Sequence, residues 1–147
     1  LRLKIVGGAA RPRQNPGGEA GVVSIFINRL LAGEQATLFA YPGEEDGMLR
    51  DYVYVEDVAR ANLEAAGKAA GETINIGTGV GTTTGALYRA IAAGFPGAVQ
   101  PRREPARPGD LRRSVLAAAK AERLLGWKAR VALGEGLQRT GEFFRSR

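Results

Sequence analysis

Arg107-Pro108-Gly109-Asp110 places a guanidinium and a carboxylate three residues apart. Between them lie one residue of fixed φ and one of permissive φ, a turn that can aim both side chains at one cleft. A second arginine, Arg50, opens the run RDYVYV next to Asp51. Guanidinium forks match phosphate oxygens in pairs, and hydrogen bonds to ionised groups are the strong ones. A carboxylate beside them can accept from hydroxyls. The plainer alternative is a surface ion pair between Arg50 and Asp51, worth ~0–1 kcal/mol, with Arg107 an ordinary residue of a proline-rich loop.

A third candidate is the segment TINIGTGVGTTTGALYRAI, which reads strand, glycine turn, helix. That is the setting of a dinucleotide-binding fingerprint, G-x-G-x-x-G. Counting from Gly77, the last glycine falls on Thr82; counting from Gly79, it falls on Thr84. No acid follows about twenty residues on to hold a ribose, and no lysine follows the glycines as a P-loop requires. The expectation is a tight turn feeding a helix, not a phosphate cradle.

Composition narrows the chemistry further. The chain has no histidine and no cysteine. This excludes Ser-His-Asp hydrolysis, cysteine nucleophiles, disulfides and zinc–sulfur sites. No apolar run approaches the ~18 residues of a membrane span. Of 147 residues, 21 are basic and 15 acidic, but the imbalance is local. Residues 1–100 carry 9 basic and 10 acidic side chains, whereas residues 101–147 carry 12 and 5. An anionic partner near the last third is therefore expected.

These groups need elements to hold them. Leu1–Val6 alternates apolar and basic residues before Gly7-Gly8 and predicts a strand; residues 9–19 predict a loop. Ala20–Ala32 has Val22, Ile25, Phe26 and Leu30 at helical spacing, with Gly33 as a left-handed cap. Thr37–Phe39 predicts a short strand and Tyr41–Gly47 an exposed loop. Arg50–Val55, β-branched and aromatic, predicts the strongest strand. Glu56-Asp57 opens a helix through about Ala66, with acids at its positive end. Thr73–Ile76 predicts a strand, Thr82 an N-cap for a helix over 83–93, and Ala98–Gln100 a short strand leading into loop 101–110. Helices follow over 118–125 and 135–145. Alternating strands and helices indicate a single α/β unit over residues 1–147 with some parallel pairing.

Five segments in order resemble one family: PRQNPGGEAGVVSIFINRLLAGE, LRDYVYVEDVARA, TINIGTGVGTTT, RPGDLRRSVL and KAERLLGWKA. The chain resembles the C-terminal half of NAD-dependent nucleotide-sugar epimerases and dehydratases, extended short-chain dehydrogenases of Rossmann type. Within them it is nearest the bacterial UDP-glucose 4-epimerases. The resemblance implies a substrate-binding part whose N-terminal Rossmann half lies outside this chain, which starts at Leu rather than Met. It implies that Arg107 and Arg50 meet the diphosphate and that Asp110 meets ribose hydroxyls. Thr37, Leu38 and Phe39 would line the uracil, Phe39 as an apolar wall, and Val22 and Val23 would start the helix covering the sugar nucleotide. The family's catalytic Tyr-x-x-x-Lys pair is not found: four residues beyond Tyr41, Tyr52, Tyr54 and Tyr88 stand Glu45, Glu56, Val58 and Ala92.

The resemblance therefore implies a UDP-sugar partner, NAD as the cofactor of the family but none held by this chain alone, and no catalytic residue here. Further partners would be the N-terminal half or a second copy, with neither nucleic acid nor membrane, in the cytoplasm. Four features depart from the family: the start LRLKIVGGAARPRQ, the absent N-terminal half, Ala117-Ala118-Ala119 where a capping Asp-Pro-Ser is usual, and Gly85 and Gly141 inside predicted helices, each costing up to ~1 kcal/mol. Two other functions are weighed. One is a non-catalytic interaction remnant. The other is a small nucleic-acid module using the basic last third, whose aromatics are Trp127, Phe143 and Phe144.

Overall fold

The computed structural model describes residues 2–4 and 21–146. In chain order the elements are β1 (Arg2–Lys4), α1 (Val22–Leu31), β2 (Thr37–Ala40), β3 (Leu49–Arg50), α2 (Val55–Ala65), β4 (Thr73–Asn75), β5 (Thr82–Thr83), α3 (Thr84–Ala92), β6 (Arg102–Pro105), β7 (Arg113–Ser114), α4 (Ala119–Leu125) and α5 (Leu133–Arg145). The α/β character expected from the alternation is present. Among the described residues three small sheets form. β1 pairs with β4 and β2 with β6, both parallel, and β3 lies between antiparallel β5 and parallel β7.

Two apolar clusters sit on either side of the segment that follows β3. One gathers Val23, Phe26 and Ile27 of α1, Leu38 of β2, Leu87, Tyr88 and Ile91 of α3, and Leu137 of α5. Phe26 and Tyr88 meet edge to face, with centroids 5.2 Å apart, a favoured aromatic geometry. The other gathers Val58, Ala61 and Ala65 of α2, Ile74 of β4, and Ala121, Leu125 and Trp127. Tyr52 belongs to the first cluster and its neighbour Val53 to the second. An extended chain sends successive side chains to opposite faces, and here the two faces are two cores.

That explains the largest difference from the expected elements. Arg50–Val55 has the composition of a strand, yet only Leu49–Arg50 is laddered and α2 already begins at Val55. The apolar and β-branched residues of RDYVYV serve packing on both sides rather than strand pairing, and the last bond toward β7 is Asp51 N–H to the Ser114 carbonyl at 3.1 Å. The strand expected at Ala98–Gln100 forms instead at Arg102–Pro105, inside the segment read as loop. Its residues are charged and largely exposed, so hydrophobic alternation gives no sign of it. The helix cap is Thr83 rather than Thr82: its Oγ1 accepts from Ala86 N–H at 3.1 Å. Ala118 caps α4 without a side-chain bond, as the missing capping residue implies. Of the strand expected over Leu1–Val6, Arg2–Lys4 is described; the rest of it and the expected loop 9–19 lie outside the described residues.

Candidate functional site

β2 and β6 run parallel in register Phe39↔Glu104 and Ala40↔Pro105. The chain then leaves β6 with Ala106 N–H on the Ala40 carbonyl at 2.9 Å. The turn Arg107–Asp110 follows, closed by Asp110 N–H to the Arg107 carbonyl at 3.1 Å. Gly109 takes φ +84° there, the left-handed region that glycine occupies without strain. Asp110 Oδ2 accepts the Arg107 backbone N–H at 3.0 Å and its Nε at 3.3 Å. The Arg107 guanidinium carbon lies 4.7 Å from the centroid of the Phe39 ring, within cation–π range. Arg107 keeps 66% of its side chain exposed, while Asp110 keeps 19%. The fork is thus aimed by ring and carboxylate while much of it still faces solvent.

The other half of this loop is anchored by residues the sequence reading passed over. Tyr41 Oη donates to the Asp110 carbonyl at 2.7 Å. The Arg112 guanidinium lies 4.0 Å from the Tyr41 centroid and donates to Glu44 at 2.7 Å. Arg112 is therefore part of the loop's support. Tyr41 and Glu44 sit in a stretch that reads only as exposed loop, and the pairing is non-local, so sequence carries no signal for it.

Phe39, Arg107 and Asp110 are brought together directly. Arg50 stands on β3 beside Ser114 of β7, at the far end of the loop that carries Arg107, and donates Nη1 to the Leu49 carbonyl at 2.9 Å. Thr37 opens β2 and is half-buried; the Leu38 side chain is buried in the first core. Val23 is buried in that core, with Val22 packed against it. The alternative of a surface pair between Arg50 and Asp51 is not what the carboxylate does. Asp51 is fully buried. It accepts Thr78 N–H at 2.9 Å, Thr78 Oγ1 at 2.5 Å, Gly79 N–H at 2.9 Å and Leu116 N–H at 3.3 Å.

The glycine turn is thereby explained. Two amides that a phosphate cradle would need, those of Thr78 and Gly79, are spent on an internal carboxylate. Beside this turn lies a cleft of about 630 Å³ lined by Tyr52, Gly79, Val80, Trp127 and Leu133, among others. Burial pushes the Tyr52 phenol up to about 12, against the lowering effect of the nearby Arg50 charge. It stays protonated at neutral pH. Among the described residues no group of His, Cys, Asp and Glu is placed to hold a metal ion.

Residues 1–77 match the model of the NAD-dependent epimerase/dehydratase family. The chain belongs to this family. A UDP-glucose 4-epimerase of Mycolicibacterium smegmatis is 48% identical over 138 residues, covering 92% of this chain and 42% of that protein. The crystal structure of a Thermotoga maritima UDP-glucose 4-epimerase with UDP-glucose superposes with a TM-score of 0.87 at 44% identity, over 98% of this chain and 45% of the other. A Thermus thermophilus UDP-glucose 4-epimerase in complex with NAD gives a TM-score of 0.77 at 43% identity, over 97% of this chain and 45% of the other. This epimerase/dehydratase chain thus spans a little under half the length of the relatives it matches. The fold is that of the extended short-chain dehydrogenases. The family's cofactor is NAD, and a glycine turn whose amides are held by Asp51 does not fit it, so no hydride step is derived from these residues.

Proposed function

We propose that this chain is the UDP-sugar-binding, C-terminal part of an NAD-dependent UDP-glucose 4-epimerase-like enzyme. The observation that carries the reading is the cluster of Phe39, Arg107 and Asp110 at the β2–β6 end, with Arg50 at the far end of the same loop. An apolar ring, a partly exposed fork and a half-buried carboxylate match, in order, a base, a diphosphate and a ribose. A relative of high structural similarity was solved with UDP-glucose, which supports the same ligand class here. In this reading Arg107 and Arg50 hold the diphosphate, Asp110 accepts from ribose hydroxyls, Thr37, Leu38 and Phe39 flank the uracil, and the start of α1 at Val22 and Val23 backs the sugar nucleotide. The Tyr-x-x-x-Lys chemistry and the NAD loop would come from the remainder of the enzyme.

The basic last third does not favour nucleic acid. Trp127 is buried and Phe144 packs against the first core, which leaves Phe143, 38% exposed and edge to face with Phe144, as the one exposed ring of residues 101–146, whereas stacking platforms for single strands present several exposed rings. Calorimetric titration with UDP-glucose and with a single-stranded oligonucleotide at two salt concentrations tests the reading. Saturable 1:1 binding of UDP-glucose is expected. Oligonucleotide binding with a steep salt slope, and no heat from UDP-glucose, would contradict it.

A further inference from the structure

Asp51 is the one fully buried carboxylate among the described residues, closed off from solvent. Its backbone immediately follows Arg50. Arg50 has two strand neighbours, Thr82 on β5 and Ser114 on β7. The Asp51 carboxylate bonds to chain just outside both: to Thr78 and Gly79, which lead into β5, and to Leu116, which follows β7. Its own N–H closes on the Ser114 carbonyl at 3.1 Å. Gly77 belongs to the same arrangement. A Cβ there would lie 2.7 Å from Asp51 Oδ2 and 3.0 Å from the Leu116 Cβ, so the turn can reach the carboxylate only with glycine.

Resting on the UDP-sugar reading above, we propose that Asp51 is a positioning residue for that ligand, clamping the strands on both sides of Arg50 so that its guanidinium is held toward the diphosphate. An ionised carboxylate is acceptor-only, which suits a ring of four donors. Asparagine keeps one acceptor oxygen and turns an NH2 toward N–H groups that need an acceptor. Bonds within one such network couple, and the coupling is what a double-mutant cycle reads.

The test is the affinity of the full chain for UDP-glucose in four proteins: wild type, Arg50→Ala, Asp51→Asn and the double variant. Arg50→Ala is expected to weaken binding about tenfold. Asp51→Asn is expected to weaken it about fivefold in the wild-type background, and by less than about twofold once Arg50 is gone, because the group it positions is absent. Equal losses in both backgrounds would mean that Asp51 acts on general stability, and would overturn the proposal while leaving the UDP-sugar reading intact. Absence of binding by the wild type, or no loss in Arg50→Ala, would overturn that reading and this one with it. Should Asp51→Asn melt below the titration temperature, Thr78→Val takes its place, removing the Oγ1 bond to the carboxylate together with the one that Oγ1 accepts from Val80 N–H. It is expected to show a smaller loss with the same dependence on Arg50, and an Arg50-independent loss would count against the proposal.

Discussion

At the scale of single residues, Asp57 shows how strongly one side chain can tie distant parts of this molecule. It sits in the first turn of α2 and is buried. Its Oδ2 accepts the N–H groups of Arg130 and Val131 at 2.9 Å each, Oδ1 accepts from Arg60 at 2.6 Å, and its backbone carbonyl accepts Trp127 Nε1 at 2.9 Å. Burial pushes its carboxyl up, but the bonds from Val131, Arg60 and Arg130 together hold it below its ordinary value of 3.8. A carboxyl whose pKa is lower folded than unfolded adds stability that is present above the unfolded value and disappears as pH falls through the folded value. Thermal melts of wild type and Asp57→Asn should therefore differ most at neutral pH and converge as pH falls below about 4. A gap that stays constant down to pH 2.5 would show that the carboxylate charge is not what stabilises this junction. The sequence revealed Asp57 only as a helix-start acid; apart from Arg60 one turn on, its partners lie about seventy residues on, beyond any local pattern. The same holds for Asp51, whose neighbour Arg50 offered a plausible partner that the fold does not use. Arg107 and Asp110 were legible because their geometry is local to four residues.

At the scale of elements, what could be read followed local chemistry, and what was missed followed tertiary pairing. α1, α2 and α5 appear within two residues of their expected bounds because amphipathic spacing and glycine stops are local signals, and Gly33 and Gly67 carry the left-handed φ that ends a helix. β6 and β7 were missed because their stability comes from β2 and β3, not from their own charged residues. The two helix glycines separate in the same way. A Cβ on Gly85 would run into the Asp46 carboxylate and lie 2.9 Å from its carbonyl oxygen, while on Gly141 it would meet nothing closer than Arg145 Nη1 at 3.8 Å. Gly85 thus has a packing reason: its N–H reaches the Asp46 carbonyl at 2.9 Å, beside the bonds that Asp46 makes to Thr83 and Arg89. Overpacking costs ~1–3 kcal/mol and outweighs the gain of up to ~1 kcal/mol in helix propensity. Gly85→Ala should lower the melting temperature and Gly141→Ala should raise it. A gain in both would mean that the α3 start has room the packing denies.

At the scale of the whole molecule, two cores meet along the segment from Asp51 to Val53, and the groups proposed to face the ligand lie at the ends of short parallel pairings beside that seam. Basic side chains of residues 101–147 form exposed ion pairs, Arg102 with Glu104 and Arg107 with Asp110 close in sequence, Arg112 with Glu44 and Lys120 with Glu72 across the fold. Such exposed pairs contribute little each, and in the proposed site Arg107 exchanges its weak pair with Asp110 for a phosphate. The affinity of UDP for wild type, Arg107→Ala, Arg107→Lys and Arg123→Ala measures that exchange. Arg123 is exposed on α4, away from the loop, and serves as the control of equal charge. A hydrogen bond to a charged group contributes roughly 1.5–3 kcal/mol, or about ten- to a hundredfold in affinity. Arg107→Ala should lose at least about tenfold, Lys should recover only part because it lacks the fork, and Arg123→Ala should stay within about twofold of wild type. Equal losses at Arg107 and Arg123 would show diffuse attraction to a basic surface and contradict a built diphosphate site.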